Sequence, residues 1–272
     1  RPLVKRALDL GINFFDTAEM YSDGRSEEIL GSALKEYARR SEVVIATKVG
    51  NPALEAGTGA LDRRTISEAI DGSLKRLQVD YIDLYQIHSW AAVTSVEETL
   101  DALSEIVRSG KARFVGACNI NSWQVAQSLI AAERGGWVRL ASVQNHYNLL
   151  DREDERDLLP LCITQGIGVI PWSPLARGTL ARTYSPNRGP TTKRASSDPR
   201  IVGLYRDCDY PIVEQVGQVA AQQGVSSAQV AIAWLLTRST LIAPIIGATK
   251  ASHLEEAVAA VDLTLSATEC AT

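Results

Sequence analysis

The chain has 272 residues, 45% of them hydrophobic and 22% charged, with a net charge of -4 and a pI near 5.5. That length can bury one large core, and the acidic balance leaves no electrostatic footprint for nucleic acid or an anionic membrane. No apolar run approaches the ~20 residues of a spanning helix and no charged-then-apolar leader opens the chain, so the expected setting is cytoplasmic, with neither membrane nor nucleic acid as partner.

The opening RPLVKRALDLG reads as an amphipathic helix already under way, followed directly by a strand-like run, INFFDT, at 12–17. SEEILGSALKEYARR is the next helical stretch, with Ser26 as its expected N-cap, and VVIATK (43–48) the next strand. DRRTISEAIDGSLKRLQ carries Ile66, Ile70, Leu74 and Leu77 at helical spacing. After strand YIDLYQIH (81–88), helix SVEETLDALSEIVRSGK ends on Gly110, where a C-terminal glycine belongs. Strands FVGACN (114–119), RLASVQN (139–145) and GVIPWS (168–173) follow. A Pro-, Ser-, Arg- and Thr-rich stretch from Gly178 to Pro211 reads as a loop over a site. The most apolar helix, SSAQVAIAWLLTRS, and a last strand, LIAPIIG (241–247), complete the series.

Short, β-branched, apolar strands alternating with amphipathic helices predict a parallel sheet with helices outside it. An open nucleotide-binding sheet would place GxGxxG after its first strand, and none occurs here. Polar, chemically capable residues instead end nearly every strand, the pattern of a (β/α)8 TIM barrel, so a single barrel domain over 1–272 is expected. Seven strands are readable where a barrel needs eight. Either the sequence begins inside the first β–α unit, with the first strand missing, or a later strand is hidden. The four cysteines form no CxxC pair and the three histidines lie at no metal-ligand spacing. Free thiols and no metal site are expected.

Four strand-rim residues carry chemistry. Asp16 closes INFFD, Lys48 closes VVIATK, His88 closes YIDLYQIH, and Tyr21 follows Asp16 by five residues. Carbonyl reduction needs a proton donor within about 3 Å of the oxygen on which charge develops. A phenol of pKa about 10 is a sluggish donor. A neighbouring ammonium lowers that pKa, and a carboxylate holds the ammonium charged and in place. Tyr21 is therefore the expected acid, Lys48 and Asp16 its tuners, and His88 the donor that orients the substrate oxygen. Any one of these residues alone is an ordinary loop or core residue; four complementary types at three strand ends form a site.

The strings GINFFDTAEMYSDGRSEEILGSAL, VVIATKVG, LKRLQVDYIDLYQIH, SGKARFVGACN, QNHYNLLDR, IPWSPLARG and PIIGATKASHLEEAV run in order through nearly the whole chain. Together they resemble the aldo-keto reductase superfamily, nearest the bacterial reductases and the potassium-channel β-subunit branch. The resemblance implies a (β/α)8 barrel that binds NADPH without a Rossmann motif, and its catalytic tetrad falls on Asp16, Tyr21, Lys48 and His88. It implies that Asn119 and Gln144 contact the nicotinamide amide, that Trp172 stacks on the ring, and that Ser173, Leu175 and Gly178 close over the pyrophosphate. Gly247, Thr249, Lys250, His253 and Glu256 then fall at the adenosine end, with Lys250 facing the 2′-phosphate. Three positions depart from the family's usual residues: Cys118 stands for Ser, His253 for Arg or Gln, and Ala257 for Asn.

Trp90 and His146 are the expected substrate contacts, His146 having packing beneath the loop as an equal alternative. The partner is then a small-molecule carbonyl compound, apolar or aromatic. Homo-oligomer formation is compatible with the sequence and not specified by it. The rival reading is an NADPH-binding regulatory subunit of the channel β-subunit type with little turnover. In that branch the orienting histidine tends to be replaced, and here His88 is present.

Overall fold

The computed structural model describes residues 1–50, 61–90, 93–181, 207–238 and 243–271. Its contacts group the chain into two compact units: Arg1–Asn145 with Asp157–Val169, and His146–Arg156 with Ile170–Thr272.

The first unit is built on six strands: β1 (Phe14–Asp16), β2 (Val44–Val49), β3 (Ile82–Ile87), β4 (Ala112–Cys118), β5 (Ser142–Gln144) and β6 (Gly168–Val169). Each pairs in parallel with the next, in the order β1-β2-β3-β4-β5-β6. A doubly wound sheet reverses its strand order at a switch point. This sheet never reverses, so the fold is of the (β/α)8 barrel type, with six strands paired among the described residues. Every residue of β3 is buried, as a parallel strand covered on both faces requires.

Helix α1 (Pro2–Asp9) precedes β1, and between the strands lie α2 (Arg25–Tyr37), α3 (Arg63–Leu77), α4 (Val96–Arg108), α5 (Ser122–Gly135) and α6 (Leu158–Gln165). Of the expected stripe on α3, Ile66, Ile70 and Leu77 are fully buried and Leu74 is partly buried, and Asp62 caps the first turn by accepting from the Thr65 N–H at 2.7 Å. Helix α4 is capped by Ser95, which accepts from the Glu98 N–H, and Gly110 follows its end at φ +77. The cap expected of Ser26 falls elsewhere. Gly24, at φ +85, is the residue before α2, and Ser26 lies inside the helix with its hydroxyl 2.8 Å from that of Thr17. A left-handed entry is open to glycine at little cost, and it releases Ser26 to bond the chain leaving β1.

At the opposite strand ends, Asp83 accepts from Arg40 (2.6 Å), Arg113 (3.3 Å) and the Ile45 N–H (2.9 Å). Both guanidinium groups lie over the Tyr81 ring, at 3.9 and 4.2 Å. This cluster tethers β2, β3 and β4 far from the polar rim.

The second unit carries α7 (Tyr210–Gln223), α8 (Ser227–Leu236), α9 (Ala251–Ala259) and α10 (Ala267–Ala271). Val213, Val216, Val219 and Ala220 of α7 join Val230 and Ala231 of α8 in one apolar cluster with Ala176 and Leu180. Two expected strands fall short here. The run 168–173 pairs as a ladder at Gly168 and Val169 and again at one isolated bridge, Trp172 with His146; Pro171 between them has no N–H to donate. Of 241–247, the first two residues lie outside the described residues. The rest form no strand, and Ile245 alone reaches across, donating to Pro171 O at 2.7 Å. Of the expected loop at 178–211, residues 182–206 also lie outside the described residues.

Candidate active site

Parallel pairing brings the C-terminal ends of β1 to β5 to one edge, and the polar residues of the first unit gather there. Asp16 ends β1, Lys48 is the penultimate residue of β2, His88 follows β3, Cys118 ends β4 with Asn119 next, and Gln144 ends β5. Lys48 is 1% exposed. Its ammonium donates to Asp16 Oδ2 and, at 2.9 Å, to Thr17 O. The other carboxylate oxygen of Asp16 accepts from two side-chain amides, Gln144 at 2.9 Å and Gln86 at 3.2 Å. Tyr21 stands over this pair, its ring centre 5.1 Å from Lys48 Nζ, and the His88 ring meets it edge-on at 5.5 Å. The chain bearing Tyr21 is fastened to the end of β2, because Glu19 accepts from the Gly50 N–H at 3.0 Å. All four predicted tetrad residues are thus brought together.

Their electrostatics differ from expectation in one respect. Lys48 does pull the Tyr21 phenol toward ionisation, but burial works the other way and is larger, so the phenol sits above its ordinary range. Desolvation opposes the Lys48 ammonium too. There the charge of Asp16, with that of Tyr21, outweighs it, and Lys48 is held charged.

Burial, aided by the Lys48 charge, pushes His88 down from its ordinary 6.5 to about 4, and its buried Nδ1 has no hydrogen-bond partner among the described residues. The imidazole at the rim is therefore neutral. Between these two pH values the unfolded chain binds a proton that the folded chain does not. The His88 contribution to stability is fully present above about pH 6.5 and is lost as pH falls toward 4. Urea midpoints measured from pH 7 to 4 should fall in that window, and His88→Gln should flatten the decline. An equal decline in the variant would exclude the shift.

Asn119 holds its backbone at φ +52, a conformation asparagine tolerates better than most residues, and its amide donates to His88 O at 2.9 Å. The Gln144 amide nitrogen is committed to Asp16 and Gln86. Its Oε1 accepts no hydrogen bond among the described residues and so has acceptor capacity for an N–H. That open acceptor suits the amide N–H of a nicotinamide. Cys118 is buried, points its thiol at Gln86 Oε1 at 3.7 Å, and is pushed well above the usual thiol range by that burial. Trp90 lies partly buried just beyond β3. Among the described residues, no group of His, Cys, Asp and Glu could hold a metal ion, and no helix is long and apolar enough to cross a membrane.

In the second unit, His146 is held on every side. Its Nδ1 lies 2.7 Å from Asp151, its Nε2 3.2 Å from the Asn148 amide, and its ring stacks on Trp172 at 4.3 Å. Those contacts fit the packing alternative given for His146. They also cover one face of Trp172. Ser173 (φ +54) and Gly178 (φ +97) adopt left-handed backbone in the loop that follows, and Leu175 packs into the apolar clusters of this unit. Around the start of α9, Gly247, Thr249, Lys250 and His253 are exposed and Glu256 is partly buried. His253 Nδ1 accepts from the Thr249 N–H at 3.4 Å, closing the turn.

The family model for the aldo/keto reductase family matches residues 1–272. The chain belongs to the aldo/keto reductase family. It is 41% identical to versiconal hemiacetal acetate reductase of Aspergillus parasiticus, across 98% of this chain and 83% of that one. It is 38% identical to a putative aryl-alcohol dehydrogenase of Schizosaccharomyces pombe, across 97% and 81%. Among solved structures, the crystal structure of a thermostable aldo-keto reductase with the inhibitor epalrestat aligns at a TM-score of 0.79. It shares 29% identity and covers 99% of this chain and 84% of that one. As an aldo-keto reductase the chain is an oxidoreductase acting on small-molecule carbonyl compounds.

One residue bonded into this cluster escapes a reading by strand ends. Gln86 lies inside β3, yet it donates to Asp16 and accepts from Gln144 and Cys118. Its signal was present in the sequence: an amide in an otherwise apolar strand, two residues before His88 and so on the same face.

Proposed function

We propose that this reductase converts an aldehyde or ketone to the alcohol with NADPH, Tyr21 giving the proton. The observation that carries the reading is the Lys48–Asp16 pair buried beneath the Tyr21 ring, with a neutral imidazole 5.5 Å from that ring. The bound nicotinamide supplies the hydride. Tyr21 then protonates the substrate oxygen. His88, uncharged, can hydrogen-bond that oxygen without competing as the acid, and Lys48 stabilises the phenolate left after transfer. Because burial holds the phenol above its ordinary range, Tyr21 keeps its proton across the neutral range, the state a reductive step requires. Trp90 and the aryl-alcohol relative favour aromatic aldehydes, and 4-nitrobenzaldehyde is the first substrate to assay.

For the cofactor we assign Asn119 and Gln144 to the carboxamide and Trp172 to the ring. Ser173, Leu175 and Gly178 are assigned to the pyrophosphate, and Gly247, Thr249, His253 and Glu256 to the adenosine. Lys250, exposed at the start of α9, is assigned to the 2′-phosphate. The ratio of kcat/KM for NADPH to that for NADH should exceed one. Lys250→Ala should cut it about tenfold, the worth of one charge-assisted contact. A ratio below one in the unmodified protein rejects NADPH as the cofactor.

A further inference from the structure

Buried parallel strands ordinarily carry branched apolar side chains, but one layer of the first unit is polar across five neighbours. Lys48 stands directly opposite Gln86 in the β2–β3 register, and Cys118 directly opposite Gln144 in the β4–β5 register. Asp16 of β1 closes the set. Gln86 is its hub and is fully buried. Its Nε2 donates to Asp16 Oδ1 at 3.2 Å, while its Oε1 accepts from Gln144 Nε2 at 3.3 Å and from the Cys118 thiol at 3.7 Å. A flipped amide would turn a carbonyl oxygen toward the carboxylate and an NH2 toward two donors, so the neighbours admit one orientation. Room for it comes from Gly116 on β4, where a Cβ would lie 2.6 Å from Ser142 Oγ and 3.3 Å from Gln86 Cγ.

We infer that Gln86 is a positioning residue for the reduction: by fixing the plane of the Asp16 carboxylate it keeps Oδ2 turned to Lys48 and so holds the ammonium under Tyr21. The inference rests on Tyr21 being the acid. Lysine is a flexible chain that loses its charge readily when buried, and Asp16 and Thr17 O are its anchors here. A carboxylate free to turn about its own bond would offer Lys48 either oxygen at varying height. Two amide donors on Oδ1 remove that freedom.

Gln86→Glu tests this through a pH profile. The charged or titratable groups facing position 86 are Asp16 from β1, Lys48 from β2 and Cys118 from β4, with His88 and Tyr21 at the rim. While the introduced carboxyl is protonated, its O–H can donate to Asp16 and its carbonyl can accept from Gln144 and Cys118, as the amide does. Once ionised, it sets oxygen against oxygen at Asp16. Of two carboxyls sharing a site, one titrates well above the usual range. The variant should keep most of its kcat at about pH 5.5 and lose about tenfold or more by about pH 8, a descending limb the wild type lacks. Gln86→Met cannot titrate and should lose about tenfold in kcat at every pH, with the Kd for NADPH unchanged. Wild-type profiles in both variants overturn the inference. So does a uniform loss accompanied by weaker NADPH binding, which would mark general packing damage. If Gln86→Glu does not fold, Gln86→Met decides alone: unchanged kcat overturns and the tenfold loss supports. Tyr21→Phe, assayed in parallel, separates the two levels. If that variant still turns over, the acid assignment has failed, whatever Gln86 does.

Discussion

Tyr21→Phe should lower kcat by about 10²–10⁴-fold, the usual contribution of a positioned general acid, while leaving the Kd for NADPH within about twofold. The substitution removes one oxygen and keeps the ring. The edge-on contact with His88 and the position over Lys48 both involve the ring itself, so packing at the rim survives. Lys48 keeps Asp16 and Thr17 O as partners, so no buried charge is stranded and the fold stays intact. Steady-state turnover of 4-nitrobenzaldehyde together with NADPH fluorescence titration separates the two effects. Turnover within tenfold of wild type would assign the proton elsewhere. Loss of NADPH binding would mean that Tyr21 serves the cofactor rather than the substrate oxygen. A binding protein of regulatory type would instead show negligible turnover before the substitution as well as after it.

The tetrad was legible because strand ends are legible. A β-branched run ending in Asp, Lys or His fixes where a side chain emerges, and parallel pairing collects the emergent residues on one edge. What sequence could not supply was a balance of opposing terms. Lysine beside tyrosine predicts a lowered phenol, and the burial that reverses the sign is a property of packing from other strands. The packing of His146 was hidden for a similar reason: its partners Asp151 and Trp172 lie five and 26 positions away in the sequence. Proline interrupts the strand read at 168–173, where Pro171 removes a ladder donor, a signal present in the sequence. Ser26 misled because its hydroxyl found Thr17 and glycine opened the helix instead.

Lys48→Met carries the largest combined effect. The Lys48 side chain is 1% exposed and that of Asp16 8%, so removing the ammonium leaves a buried carboxylate with amide donors only. Breaking a buried ion pair from one side costs about 3–5 kcal/mol, a large fraction of the ~5–15 kcal/mol that holds a domain folded. Urea denaturation should show that loss at neutral pH. Turnover should fall at least as far as in Tyr21→Phe, since the phenolate left by proton transfer would face no cation. The two consequences separate in the double variant Asp16→Asn/Lys48→Met. A neutral amide replaces the stranded carboxylate, and its carbonyl can still accept from Gln86 and Gln144, so most of the stability should return. Activity should not, because neither substitution restores a charge under Tyr21. Recovery of turnover in the double variant would refute the role given to Lys48. A single variant destabilised by less than about 1 kcal/mol would place the pair in the class of exposed salt bridges and remove the anchor on which the site depends.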